Sequence, residues 1–256
     1  MKNKKKRNYR KIVSIFVFAS LVFAVIGIII MMCIAPSVPE ADDPNGHVKS
    51  DYVLMLVQCL IGIVALGLPS LITKKFKLEI PNNMYYLYVI FLYAAIFLGE
   101  VRNFYYRFQY WDLILHTLSG SMIGFLGFSV IDILNTENEN VKLNAFFVAF
   151  FAFAFAMTLG GMWEIYEFVS DGILNTNMQK FALQNGIGLI GREAVVDTME
   201  DLIVDAIGAL VASTLGYLSL KYDKNFLNNM IIKISKKKKE AHEKIQGGTD
   251  ETAHLK

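Results

Sequence analysis

Long apolar runs with few charges restrict this chain more than any other feature. Of its 256 residues, 54% are hydrophobic and only 19% are charged. A helix needs about 20 apolar residues to cross about 30 Å of hydrocarbon, and in lipid a helix satisfies its own backbone polar groups. The sequence therefore predicts an all-α, polytopic transmembrane helix bundle with six spans, at residues 12–35, 52–72, 84–101, 111–133, 145–170 and 194–220.

The basic residues indicate how such a bundle is oriented. Cytoplasmic loops of membrane proteins carry an excess of lysine and arginine. If both termini are cytoplasmic, all but five of the 25 lysines and arginines lie inside, the exceptions being Lys49, Arg102, Arg107, Lys180 and Arg192. We therefore expect residues 1–11 to form a basic cytoplasmic N-terminus, residues 12–220 a membrane domain, and residues 221–256 a basic cytoplasmic tail that is partly disordered.

The charge pattern also bears on partners. The formal net charge of +2 combines a basic cytoplasmic side with acidic groups elsewhere, so it does not indicate nucleic-acid binding. The expected partners are the lipid bilayer and, at the Lys236–Lys239 run of the tail, anionic lipid. Gly120 and Gly124 form a G-x-x-x-G pattern that predicts close helix approach, either within the chain or in a homo-oligomer.

Ten titratable side chains lie in or beside the later apolar runs, near one end of each run. A charge inside a bilayer costs at least about 2.5–3.5 kcal/mol, so such residues usually face one another, water or a bound cation. They are Glu100, Asp112, His116, Glu164, Glu167, Asp171, Glu193, Asp197, Asp201 and Asp205.

Helical spacing groups most of these residues into three faces. Asp112 and His116 are four residues apart, and Glu164, Glu167 and Asp171 follow at i, i+3 and i+7; Asp197, Asp201 and Asp205 recur every fourth residue. Residues at these spacings share one side of a helix. Because the fourth span begins where the fifth ends and the sixth begins, all three faces are expected at one membrane depth, in a pocket that opens away from the cytosol.

Several chemistries fit such a pocket. Carboxylates with one imidazole suit a divalent metal, and the candidate ligands are Asp112, His116, Glu164, Glu167, Asp197 and Asp201, with Asp171 and Asp205 at the margins. A proton or cation relay and a metal-dependent membrane hydrolase are alternatives, as is an interhelical polar network that only holds the bundle together. The H-E-x-x-H and G-x-S-x-G patterns of known hydrolases are absent, which disfavours an enzyme.

The connection over residues 171–192 is long and partly apolar, with several glycines. Three interpretations stay open: the segment lies on the membrane surface, it folds over the pocket as a lid, or it is a plain mobile loop.

Three motifs carry a resemblance to a known family. They are the D-x-x-x-H of Asp112 and His116, the E-x-x-E of Glu164 and Glu167, and the D-T-x-x-D of Asp197, Thr198 and Asp201. In this order, on the later spans, they resemble the YjdF-like family of bacterial inner-membrane proteins. The approach to the third motif, Gly191-Arg192-Glu193, and Asp205 depart from that family's pattern. The resemblance implies a multi-pass protein of the bacterial cytoplasmic membrane and candidate site positions, but no activity.

Overall fold

Helices make up about four fifths of the part of the chain that the structure describes. This computed structural model describes residues 2–37, 47–137, 143–183, 186–223 and 225–235. In chain order the elements are α1 (Lys2–Ile34), α2 (Lys49–Phe76), β1 (Leu78–Glu79), α3 (Asn82–Leu92) continued by a π-helix (Tyr93–Val101), α4 (Phe104–Arg107), α5 (Trp111–Glu137), α6 (Ala145–Leu174), a 3₁₀ turn (Glu193–Val195), α7 (Val196–Lys221), α8 (Asn225–Asn228) and β2 (Lys233–Ile234).

Six of these helices are long and apolar enough to cross a membrane. The prediction of an all-α bundle of six spans is therefore confirmed. The helices extend past the expected spans at several ends: α2 continues to Phe76 and α6 to Leu174. Hydrophobicity sets the minimum length of a span, whereas a helix continues until a cap stops it, here the left-handed Lys77 and Asn175.

The third span departs from a regular α-helix. Its second half, Tyr93–Val101, has the i→i+5 hydrogen bonds of a π-helix and ends before Asn103, whose φ is +58°. Glu100 lies in this segment and accepts a hydrogen bond from Gln58 of α2 at 2.9 Å. Glu100 is thereby paired with α2.

Two apolar cores hold the helices together. One lies between α1, α2 and α3, where Leu21, Cys59 and Val89 are fully buried. The other lies mainly between α5, α6 and α7, where Phe128 is 1% exposed and Ala152 and Ala212 are fully buried. Large apolar side chains such as Phe23 and Phe146 are exposed on the outer surface, as expected of helices that face lipid.

Both ends of the described chain meet at one end of the bundle. β1, which follows α2, pairs antiparallel with β2, which follows α8, and Arg10 of α1 donates to the Ile80 carbonyl at 2.7 Å. Leu227 and Ile231 of the tail are buried in the larger core. The first residues of α5 and α7 and the last residues of α6 therefore lie at the opposite end. The Lys236–Lys239 run and the rest of the tail are outside the described residues.

Candidate functional site

Glycines bring α5 and α7 into backbone contact. A β-carbon on Gly208 of α7 would lie 2.1 Å from the carbonyl oxygen of Thr117, and one on Gly120 of α5 would lie 2.6 Å from that of Asp205. Gly124 faces Ala212 in the same way. The G-x-x-x-G pattern is thus used within the chain, and self-association remains a prediction. This close approach brings the polar faces of the two helices together.

His116 is the centre of the polar group that results. Its Nδ1 lies 3.4 Å from Oδ2 of Asp205, and its Nε2 lies 3.7 Å from Oδ1 of Asp112 and 3.8 Å from Oδ2 of Asp201. An ionised carboxylate only accepts hydrogen bonds, so with Asp205 ionised a neutral ring would carry its proton on Nδ1. In that tautomer the lone pair of Nε2 points toward Asp112 and Asp201.

Asp112, His116 and Asp201 have the spacing of metal ligands. One donor atom from each lies within 4.8 Å of the other two. Four ligands around a cation with bonds of about 2.1 Å are about 3.4 Å apart, and the separations of His116 Nε2 from Asp112 and Asp201, 3.7 and 3.8 Å, are within a few tenths of an ångström of that value. A carboxylate behind the imidazole, as Asp205 is here, is the usual partner of a metal-binding histidine.

Asp201 is the most buried of these carboxylates. Its side chain is 1% exposed, and neither oxygen has a hydrogen-bond partner within the described ranges. Burial of a carboxylate without hydrogen bonds is costly unless a cation or a proton compensates. Its oxygens therefore mark the position in this group where a proton or a cation is needed.

Lys180 covers the site at the end of the bundle where α5 and α7 begin. Its ammonium donates to Oδ2 of Asp112 and, at 2.7 Å, to Oδ1 of Asp197, and so bridges the first turns of α5 and α7. Burial disfavours the charged ammonium, but the two carboxylates more than compensate and raise the pKa of Lys180 above its usual value. Lys180 is accordingly a permanent positive charge of the site.

Hydrogen bonds within the connection between α6 and α7 hold Lys180 in this position. Asp171, at the end of α6, accepts hydrogen bonds from the Thr176 hydroxyl and from the backbone N–H groups of Met178 and Gln179. Asn177 makes two further hydrogen bonds with the backbone of Ala182. Of the three interpretations of residues 171–192, the contacts of the described residues 171–183 favour the lid. They also explain Asp171 as the residue that organises this lid.

Lys180 itself has a left-handed backbone, with φ at +44°. That conformation costs a non-glycine residue about 1–2 kcal/mol, and glycine or asparagine would adopt it more readily. Left-handed residues also end helices here, as Lys77 does, but Lys180 differs because its side chain makes two ion pairs.

Glu164 and Glu167 of α6 lie beside the three spaced ligands without joining them. Both are buried, and Glu167 accepts a hydrogen bond from the Trp163 indole at 2.8 Å. The Thr198 hydroxyl lies beside the Glu164 carboxyl group, but no hydrogen bond of ordinary geometry reaches its oxygens among the described residues. One turn before Glu164, a β-carbon on Gly160 would lie 2.5 Å from Oδ2 of Asp205. Gly160 thus provides the space for Asp205.

The structure groups the predicted candidates differently from the sequence. It brings Asp112, His116 and Asp201 to ligand spacing, while Asp197 is paired with Lys180 and Asp205 moves from the margin to direct contact with His116. Ser119, which donates to Asp205 at 3.3 Å, and Gln179, which donates to Thr198 at 2.9 Å, were not predicted. Ser119 follows His116 by three residues, so helical spacing could have found it; no sequence signal indicates Gln179.

Comparison with known proteins gives a family but no activity. A protein of Thermotoga maritima described as "Uncharacterized protein" is 29% identical over 128 residues, which are 50% of this chain and 57% of that protein. The chain thus spans somewhat more than half the length of this relative. No solved structure matches the chain.

The family model that matches covers residues 17–222, which include all six long helices in whole or in part. The resemblance to the YjdF-like family and its three motifs remains a prediction, since the matching model carries a different description. The chain belongs to the family described as "Predicted membrane protein (DUF2238)".

Proposed function

We propose that the protein binds a divalent cation through Asp112, His116 and Asp201, at the outer side of a bacterial cytoplasmic membrane. The observation that carries the proposal is Asp201: a carboxylate 1% exposed, with no hydrogen bond among the described residues, at ligand spacing from an imidazole nitrogen and a second carboxylate.

The charge around the site supports a cation. Six carboxyl side chains meet here (Asp112, Glu164, Glu167, Asp197, Asp201 and Asp205), and Lys180 supplies the only lysine or arginine ion pair to them within the described residues. One ammonium and the His116 imidazole cannot balance six ionised carboxylates at the end of a membrane bundle, so these groups need protons or a cation. A divalent cation would reduce this negative charge where a neutral ligand would not.

The donor set narrows the choice of cation. Carboxylate oxygens favour Mg²⁺, Ca²⁺ and Mn²⁺, and the imidazole nitrogen adds Zn²⁺ and Fe²⁺. Mn²⁺ accepts both kinds of ligand and is the best first probe. Three protein ligands leave coordination positions for water or a substrate, which keeps a metal-dependent hydrolase among the alternatives.

The surroundings favour binding over transport. On the far side of Asp205 the bundle is filled by Met122, Phe125 and Phe128, all buried. Beyond Asp205 the buried polar side chains of α5 and α7 among the described residues are three serines, Ser129, Ser213 and Ser219, and no carboxylate or imidazole is buried there. A cation held at Asp112, His116 and Asp201 is therefore expected to stay at the face from which it entered.

A polar network that only stabilises the bundle is the second candidate. The ion pairs of Lys180 with Asp112 and Asp197 favour it, because they join α5, α7 and the lid without a ligand. The two candidates differ in what Asp201 does. In a structural network it needs a proton, whereas in a cation site it needs the metal.

Metal analysis of the purified protein separates these candidates. The protein, purified without chelator, is dialysed against Mn²⁺, and bound metal is measured by mass spectrometry. We expect one equivalent in the wild type and its loss in Asp201→Asn. The matched control is Glu200→Gln, which removes the neighbouring exposed carboxylate of the same helix and should retain the metal.

The structural network predicts a different result. In that case the wild type holds no metal, and Asp201→Asn changes only the thermal stability. Equal metal content in Asp201→Asn and the wild type would also overturn the proposed site.

A further inference from the structure

We propose that Lys180 is a tethered counter-cation, which competes with the divalent cation for Asp112 and thereby sets the affinity of the site. This inference depends on the proposed function, because it assigns the residue that regulates the same cation site.

Asp112 belongs to both arrangements. Its Oδ1 faces Nε2 of His116 in the group with metal-ligand spacing, while its Oδ2 accepts from the Lys180 ammonium. The same ammonium contacts Oδ1 of Asp197 at 2.7 Å. In the absence of metal, the positive charge of Lys180 therefore offsets the repulsion between the carboxylates of Asp112 and Asp197.

A bound divalent cation would share one carboxylate group with this ammonium. The two positive groups would be only a few ångströms apart, in surroundings from which protein largely excludes water. Coulomb repulsion at that separation weakens binding by about ten-fold or more even with the dielectric constant of bulk water, the weakest case. Metal binding is therefore expected to loosen the contacts of Lys180.

The lid holds Lys180 in an ordered position that is still partly exposed to solvent. Lys180 has its left-handed φ of +44° in a segment held by Asp171 and Asn177, and its side chain remains 30% exposed. A lysine on an ordered but partly exposed segment can withdraw from the carboxylates without disturbing α5 or α7. A lysine on a packed helix could not be released in this way, because its withdrawal would disturb the packing between the helices.

The test compares Mn²⁺ affinity in three variants by calorimetric titration in lipid nanodiscs. Lys180→Gln removes the charge and should bind Mn²⁺ about ten-fold more tightly than the wild type, since the repulsion is gone. Lys180→Arg keeps the charge and should bind like the wild type. Arg192→Gln removes a cation from the same connection, is exposed and has no ion pair in the described structure, and should also leave the affinity unchanged.

Hydrogen exchange in the wild type gives a readout that needs no variant. The amides of Met178, Gln179 and Ala182 are hydrogen-bonded within the lid, and Mn²⁺ should make them exchange faster. Unchanged or weaker binding by Lys180→Gln, or slower lid exchange with Mn²⁺, would overturn the role of Lys180 and leave the cation site standing. Absence of Mn²⁺ binding in both the wild type and Lys180→Gln would overturn the cation site and this inference together.

Discussion

At the scale of single residues, His116 shows how one imidazole can serve two partners. Asp205 lies 3.4 Å from Nδ1, and the tautomer in which it accepts from Nδ1 leaves the lone pair on Nε2. Nε2 is then directed at Asp112 and Asp201, the two carboxylates with ligand spacing. Asp205 is therefore best understood as a positioning residue, whose effect on a cation is exerted through the histidine.

The substitution Asp205→Asn tests this positioning role. An amide can still accept from Nδ1 but does so more weakly than a carboxylate, and it can also present its N–H₂ and favour the other tautomer. Loss of a carboxylate behind a metal-binding histidine typically lowers metal affinity by about 10–100-fold. We expect a decrease in that range in a Mn²⁺ titration.

The neighbouring serine provides a graded control. Ser119→Ala removes the 3.3 Å hydrogen bond to the other oxygen of Asp205 and a 2.8 Å bond to the backbone carbonyl of His116. It leaves the Asp205 carboxylate in place, so its effect on affinity should be smaller. If Asp205→Asn binds Mn²⁺ as tightly as the wild type, Asp205 does not orient His116 and serves packing alone.

At the scale of the elements, the site depends on how closely α5 and α7 approach. Gly208 and Gly120 let each backbone contact the other helix. The hydroxyl of Ser121 adds a hydrogen bond to the Gly208 carbonyl at 3.0 Å. Without a hydrophobic driving force between helices in lipid, such small-residue contacts and interhelical hydrogen bonds supply the association energy.

A pair of glycine substitutions measures this contact. In Gly208→Ala the new methyl group would lie 2.1 Å from a backbone oxygen of α5, which cannot move independently of its helix. Overpacking of this kind costs about 1–3 kcal/mol, so the midpoint of thermal unfolding in detergent should fall. Gly161→Ala is the control, because its methyl group would meet nothing within 4 Å, and alanine is the better helix former.

Two outcomes of this pair of substitutions would contradict the expected result. Equal melting temperatures for Gly208→Ala and Gly161→Ala would mean that α5 and α7 are further apart than the structure has them. A loss in Gly161→Ala alone would instead indicate a contact on the outer face of α6, where a second copy of the chain could bind.

The elements differ in how far the sequence predicted them. The six helices and their polar faces followed from apolar length and from helical spacing, both of which are local properties. The π-helix of the third span and the place of Lys180 did not follow. Hydrogen bonds of Asp171 and Asn177 hold the lid in the conformation that places Lys180 over the site. The residues joined by these bonds are not spaced along the chain with any helical or strand period, so the sequence pattern does not reveal them.

Asp205 was predicted at the margin for a related reason. Its helical position was correct, but its contact with His116 depends on the space that Gly160 provides on a third helix. Spacing along one helix predicts which side chains share a face. It does not predict how near the facing helices come, and this distance decides which of the carboxylates reach the imidazole.

At the scale of the whole molecule, the site and the termini lie at opposite ends of the bundle. β1 pairs with β2 at one end, while Asp112, Asp197 and Lys180 meet at the other. The two ends also differ in charge, since the basic connection after α2 and the described part of the tail are at the first and the carboxylates at the second. Any experiment that locates one end therefore locates the other.

Accessibility of single cysteines to a membrane-impermeant maleimide determines the orientation. In a Cys33→Ser background, which removes the exposed native thiol, Arg192→Cys reports on the site end and Lys74→Cys on the opposite end; both positions are exposed. Because basic segments are retained in the cytoplasm, we expect Arg192→Cys to be labelled in intact cells and Lys74→Cys only after the membrane is permeabilised. The reverse pattern would place the carboxylates at the cytosolic face. The proposed cation would then be drawn from the cytosol, and the five basic residues counted as external would have to be reassigned to the inside.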